Sequence, residues 1–272
     1  RLVTRSPLAI HSSWWRRTVT EVVTYERRGP VAWLTIRRPE ARNALSAAVR
    51  SGLWDGLRTF TTDDVAKVLV LTGEGDVAFS AGADLKEMAT TAMEVPPPDF
   101  LPQMGRNITV TKPTIAAVNG VAFAGGFALA QSCDLCVASE HAQFAISEAR
   151  VGRGAPWAAP LVSMLPRRIV LELLMTAAPI SAARAYDLGL VNEVVPAAAL
   201  VERTQALAER IAANAPLSVR AAKAMVDVID PSRTSEAFDL AEAIWQPVYT
   251  SADAQEGPKA FAERRTPNWQ GR

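Results

Sequence analysis

Histidine and cysteine are scarce in this chain of 272 residues, which has two of each. That scarcity excludes several chemistries. Cys133 and Cys136, in "SCDLC", have the spacing of a redox motif, but a lone pair cannot complete a tetrahedral zinc site and neither histidine lies near it. They read as small buried residues where a helix passes into a strand, with a dithiol switch as the alternative. His141, in "SEHAQF", reads as a surface-turn residue and His11 lies in the N-terminal segment, so a Ser-His-Asp triad has little to build from. Charge of one sign is missing too. Lys and Arg number 29 against 28 Asp and Glu, so nothing calls for nucleic acid or an anionic membrane surface as partner. No apolar run reaches the roughly 18 residues of a spanning helix. The first twenty residues carry four arginines, no acid and no apolar block of signal-peptide length. They are expected to form a flexible extension, with a transit-like leader as the alternative. A cytoplasmic location is expected.

What is present is a rhythm. "VVTY" and "VAWLTI" flank Arg28-Gly29-Pro30 and predict a hairpin over 21–37. Ser46 can cap a helix in which Val49, Leu53, Leu57 and Phe60 recur at helical spacing. "VAKVLVLTG" (65–73) and "TIAAVNG" (114–120) read as buried strands, followed further on by "DLCVAS" and "AQFAI". Residues 89–112, with Pro96-Pro97-Pro98 and Pro102, suit a mobile excursion with a short helix. From "ISAARAYDLGLV" onward the pattern is helical. "APLSVRAAKAMVDVI" places Val219, Ala222, Met225, Val226 and Ile229 on one face, for packing on another subunit or back onto the same core.

Three stretches are candidates for chemistry. "VLTGEGDVA" fits G-x-G-x-x-A after a strand, but Glu74 and Asp76 would face a pyrophosphate and no helix opens after it, so an acidic hairpin-type turn is expected instead. "FSAGADLKEM" and "VAFAGGFALA" each place a strand, a tight turn of small residues and a helix start. N–H groups at a helix start are unpaired and carry positive partial charge. Two such turns brought together can direct two N–H groups at one oxygen; close helix–strand packing explains the small residues equally well. Glu148, in "AQFAISEARVG", follows a strand and is a candidate general base, or else a solvated loop residue.

These pieces together resemble the enoyl-CoA hydratase/isomerase (crotonase) family. The matching text is "RPEARNALS", "VLTGEGDVAFSAGADLKEM", "KPTIAAVNGVAFAGGFALAQSCDLCVASEHAQFAISEARVG", "ISAARAYDLGLVNEVVP" and "EGPKAFAERR", in family order over residues 21–265. The resemblance implies an α/β fold: a crotonase-like spiral of ββα units over residues 21–200 and a C-terminal helical oligomerisation region over 201–272, assembling as a homotrimer or dimer of trimers. It implies an acyl-CoA thioester as ligand, with no cofactor beyond the coenzyme A of that thioester. It places the oxyanion donors on the N–H groups of Ala83 and Gly125, and coenzyme contacts on Ala83, Asp84, Leu85 and Lys86 with others around Ala41 and Arg42. Trp157 and Phe127 become candidates for the acyl pocket or for ordinary packing.

Hydratases of this family hold water between two glutamates. One matches Glu148; the other position is Ala128. Loss of a general acid/base group typically lowers the rate 10²- to 10⁴-fold. The resemblance therefore implies an enzyme that uses Glu148 as single acid/base for hydration of a 2-enoyl-CoA or a 3-to-2 double-bond shift. The alternative is an acyl-CoA-binding or scaffold protein with little catalysis. The dehalogenase branch requires an aspartate where Pro156 stands, and the naphthoate synthase branch lacks the Glu148 carboxylate, so neither pattern is present. The RNA-binding branch has a lysine-rich helix after "NAL", where this chain has "SAAVRSGLWDGLRTF".

Overall fold

The computed structural model describes residues 14–91, 95–230 and 234–270. Its strands are β1 (Trp14–Thr20), β2 (Val23–Arg28), β3 (Val31–Ile36), β4 (Val68–Gly73), β5 (Ala78–Ser80), β6 (Thr114–Val118), β7 (Val121–Phe123), β8 (Leu135–Ser139), β9 (Gln143–Ala145), β10 (Ile180–Ser181) and β11 (Glu193–Val195). The helices are α1 (Ala47–Thr62), α2 (Leu85–Thr91), α3 (Gly125–Ser132), α4 (Leu161–Met164), α5 (Arg167–Thr176), α6 (Ala182–Asp187), α7 (Leu200–Ala212), α8 (Pro216–Ile229), α9 (Ser235–Tyr249) and α10 (Ala252–Ala262).

A seven-stranded sheet runs β1-β2-β3-β4-β6-β8-β11, and a four-stranded sheet runs β10-β9-β7-β5. The expected hairpin is β2–β3, antiparallel with Val23 opposite Ile36. From β3 through β11 the large sheet is parallel. Successive side chains of a strand point to opposite faces. Leu69 and Leu71 therefore join the core shared with α1, while Val68 and Val70 join Trp33, Ile115 and α7 residues on the other face. Burial on both faces explains why "VLVL" is continuously apolar rather than alternating. Helix α1 starts at Ser46, whose Oγ accepts from the Val49 N–H, and buries Val49, Leu53, Leu57 and Phe60 as the spacing predicts.

The chain crosses from the large sheet to the small one three times: β4 to β5, β6 to β7 and β8 to β9. The first two crossings lead into α2 and α3, giving the ββα repeat; the third leads into a short 3-10 turn at Glu148–Val151. Two buried asparagines fix the first crossing. Asn43 Nδ2 donates to the carbonyls of Glu74 and Ala78, at 3.1 and 2.7 Å. Asn119 Nδ2 donates to those of Gly75 and Ala78, at 2.7 and 3.0 Å.

Three expectations need correction. Residues 14–20 are not an extension: they form edge strand β1, antiparallel to β2, where the ladder satisfies the backbone; residues 1–13 lie outside the described residues. The "GEGD" turn does not make a hairpin, because β5 leaves the large sheet and pairs in parallel with β7. The short helix expected within 89–112 is absent from described residues 95–112, where Pro96, Pro97, Pro98 and Pro102 remove N–H donors and leave turns. Cys133 ends α3 and Cys136 lies in β8. Both thiols are buried, and burial pushes Cys136 up to about 12 and Cys133 higher, which leaves no thiolate for redox exchange. No helix among the described residues is long and apolar enough to cross a membrane.

Helix α3 begins against the end of β5. A Cβ on Gly126 would lie 2.2 Å from the Ser80 carbonyl oxygen, a backbone atom that cannot turn away. Gly126→Ala is therefore expected to destabilise the fold by about 1–3 kcal/mol through overpacking. Thermal unfolding checks this as a fall in Tm of several degrees.

Candidate active site

Strands β5, β7 and β9 lie side by side and parallel, so their C-terminal ends emerge at one edge. Ala83 follows β5, Gly125 follows β7 and Glu148 follows β9. All three line a single cavity of about 580 Å³, together with Leu85 and Trp157. A pocket of that size suits an organic ligand.

The two small-residue turns touch. A Cβ on Gly82, at φ +91°, would fall 2.8 Å from the Ala124 Cβ and 3.3 Å from the Gly125 nitrogen. The loop after β3 braces the first turn: the Ala81 N–H donates to the Arg42 carbonyl at 3.0 Å, and the Leu45 N–H to the Gly82 carbonyl at 2.8 Å. In the second turn Ala124 adopts φ 49° and ψ −122°, a conformation that an L-residue adopts under strain. Its N–H donates to the Ala145 carbonyl at 2.9 Å, which holds it there. Gly125 is the first residue of α3, where an N–H has no intrahelical acceptor.

Glu148 is 8 % exposed and opens its 3-10 turn. Its Oε1 accepts from the Trp157 indole N–H at 2.6 Å, and its Oε2 has no hydrogen-bond partner among the described residues. Burial pushes the carboxyl up to about 7, against the Trp157 bond, which lowers it. Such a group exchanges protons readily at neutral pH. Trp157 is thus both a wall of the cavity and a clamp on the carboxylate. Phe127 does not line the cavity; it packs edge-on to Trp157, with ring centroids 5.7 Å apart.

The remaining predicted contacts fall outside the cavity wall. Ala41, Arg42, Asp84 and Lys86 do not line it. Asp84 instead caps α2: its Oδ1 accepts from the Lys86 and Glu87 N–H groups at 3.1 and 3.3 Å, and its Oδ2 accepts from Arg38 at 2.6 Å. Burial raises this carboxyl, but these partners hold it below the usual range. Ala128 is 1 % exposed and borders a separate pocket of about 10 Å³ with Gln131.

Sequence reasoning missed the far wall. Helices α9 and α10 fold back over the cavity and supply Glu242, Gln246, Tyr249, Gly257 and Phe261. Glu242 pairs with Arg106, and the Tyr249 hydroxyl donates to the Gly154 carbonyl at 3.0 Å while the Arg153 guanidinium lies 5.1 Å from its ring centre. The aromatic end of "AEAIWQPVY" is visible in the sequence, but which core it covers is a tertiary property.

The sequence model of the enoyl-CoA hydratase/isomerase family matches residues 26–272. This chain belongs to the enoyl-CoA hydratase/isomerase family. Among curated relatives, the carnitinyl-CoA dehydratase of Salmonella typhi is 37% identical over 264 residues, covering 93% of this chain and 100% of that protein. Among solved structures, carnitinyl-CoA hydratase from Mycobacterium avium is 41% identical with a TM-score of 0.83, over 93% of this chain and 100% of that one. The enoyl-CoA hydratase of Mycobacterium tuberculosis H37Rv is 35% identical with a TM-score of 0.76, over 85% and 100%. The architecture is accordingly the family's α/β spiral with C-terminal helices.

The raised Glu148 carboxyl makes stability depend on pH. The folded protein holds this proton more tightly than the unfolded chain does, so the contribution is fully present below about 4.5 and is lost as pH rises through about 7. Relative to Glu148→Gln, the wild type is expected to lose on the order of 3 kcal/mol across that window. Denaturant unfolding at pH 4.5 and pH 8 checks it: the gap between the two proteins widens in favour of Glu148→Gln at the higher pH.

Proposed function

We propose that this protein adds or removes water across the C2–C3 bond of an acyl-CoA thioester, with Glu148 as the single acid/base group and the Ala83 and Gly125 N–H groups as donors to the thioester oxygen. The observation that carries the proposal is Glu148 itself: a buried carboxyl on the cavity wall, one oxygen clamped by Trp157 and the other without a partner among the described residues. The names of the relatives support water chemistry on a CoA thioester.

In the dehydration direction the Glu148 carboxylate takes the proton from C2. The electron pair moves onto the thioester oxygen, and N–H groups fixed at two turns stabilise that enolate without reorganising. The enolate then collapses to a C2=C3 double bond as the C3–OH bond breaks. The leaving oxygen takes the proton back from Glu148 and departs as water. Hydration is the reverse. One carboxyl serves both steps because its pKa lies near the working pH. Ala128 favours a second reading, in which the same carboxyl returns the proton to C4 and shifts the double bond. The cavity takes the acyl group, and the residues around Ala41, Arg42, Asp84 and Lys86 take the coenzyme outside it. Leu217, Met225, Val226, Val228 and Ile229 lie exposed on α8, which supports an assembly of copies, trimer or dimer of trimers, through this helix.

Incubation with 2-enoyl-, 3-enoyl- and 3-hydroxyacyl-CoA esters, followed by mass spectrometry, tests the chemistry. A gain or loss of one water is expected; an isobaric product assigns the double-bond shift instead. Glu148→Gln is expected to lower kcat at least 10²-fold while the ester still binds by calorimetry. Unchanged turnover in that variant overturns the assignment. Binding without turnover in the wild type assigns a carrier or scaffold.

A further inference from the structure

We propose that Gln131 is a positioning residue for Glu148, acting through Trp157 from the neighbouring helix. The proposal rests on Glu148 being the acid/base group. Gln131 lies on α3 and is 9 % exposed. Its Nε2 donates to the Trp157 backbone carbonyl at 2.8 Å, and the Trp157 indole N–H donates to Glu148 Oε1 at 2.6 Å. The direction of both bonds is fixed by chemistry. A carbonyl only accepts, so the amide nitrogen must face Trp157; an indole only donates, so Glu148 must accept. Two bonds therefore connect the helix that begins at Gly125 with the carboxylate on the opposite wall.

The relay has a physical purpose. Trp157 sits in a 3-10 turn, Pro156–Ala158, inside the irregular segment after Glu148. Irregular backbone has no ladder to hold it in place. Two contacts from α3 do so: the Gln131 amide on its carbonyl, and Phe127 edge-on to its ring at 5.7 Å. With the indole fixed, one carboxylate oxygen stays bound and the group keeps its place at the cavity wall. Sites held loosely by their supporting groups lose precision of about an ångström. Gln131 stands three residues after Ala128, so the helix that lacks the second glutamate still supports the first. The Gln131 Oε1 has no partner among the described residues, so the residue is buried at some expense.

The test reads the titration of Glu148, which shares its surroundings with Arg150 and Arg153 of its own segment and Tyr249 of α9. The probe is the Glu148 carboxyl carbon signal in ¹³C-labelled protein without substrate, assigned by its loss in Glu148→Gln. Gln131→Met removes the donor at similar volume. Slackening the indole bond to the charged form is expected to raise the midpoint by about one pH unit. Trp157→Phe is expected to raise it equally, and the double variant no further, because both remove one connection. The ascending limb of kcat/KM against pH moves with it. A merely structural role lowers Tm and leaves the midpoint in place, and that result overturns the relay, as does additivity in the double variant. Where Gln131→Met does not fold, Gln131→Asn, which withdraws the amide by one methylene, is read in the same way. The carboxyl signal needs no turnover, so failure of the relay and failure of the proposed reaction are told apart.

Discussion

The Ala78 carbonyl accepts hydrogen bonds from two buried asparagines, Asn43 and Asn119, and the rest of the candidate site depends on that clamp. It lies where the chain leaves the large sheet for the small one. The large majority of buried side-chain polar atoms have a hydrogen-bond partner. Asn43 meets three, because its Oδ1 also accepts from the Arg38 N–H at 2.9 Å. The two asparagines come from different turns of the spiral, so they tie the crossing to segments on both sides. With β5 leaving the large sheet at a fixed place, Gly82 comes against Ala124 with no room for a side chain between them. Displacement of the first turn would move Ala83 relative to Gly125 on the cavity wall.

The spiral also explains why a carboxylate stands opposite. Three successive crossings feed three adjacent parallel strands, and each strand ends at the same edge. The first two ends continue into helices and offer backbone N–H groups. The third continues into a 3-10 turn and offers a side chain instead. A single repeated connection thus brings both kinds of group, backbone N–H and carboxyl, to one cavity. Helices α9 and α10 then cover it, and that cover removes the water that would otherwise hold Glu148 ionised. The same burial that destabilises the folded state at high pH gives the carboxyl its near-neutral pKa.

Local signals made much of this legible. The Ser46 cap, the helical spacing of Val49 to Phe60 and the double-buried "VLVL" strand each follow from the behaviour of a few consecutive residues. The motifs, carried by the family resemblance, brought out Ala83, Gly125 and Glu148, which the structure gathers around one cavity. What escaped was long-range. Whether "GEGD" turns a hairpin or bridges two sheets depends on the partner that β5 finds, not on the turn itself. Residues 14–20 read as part of a flexible extension until β2 is there to pair with them. The Arg38–Asp84 pair joins residues 46 apart in sequence, which no local pattern reveals. The Trp157 clamp joins residues nine apart across an irregular segment with no period to reveal it.

Ala128 is where sequence and structure together say more than either alone. In the sequence it removes an acid/base group that the family resemblance leads one to expect. In the structure its side chain lies among buried neighbours, away from the wall of the main cavity. Nothing else on α3 offers a carboxyl. Of the carboxylates on the cavity wall, Glu242 is paired with Arg106, so the proposed proton transfers fall to Glu148. A carboxyl with an ordinary pKa near 4.5 would serve as a base at neutral pH but would be a poorly populated acid. One raised to about 7 is populated in both forms, as the proposed removal and return of a single proton require. The absence on α3 and the burial of Glu148 are in this sense complementary: with the second glutamate position occupied by Ala128, the proposed chemistry falls on a carboxyl kept out of water.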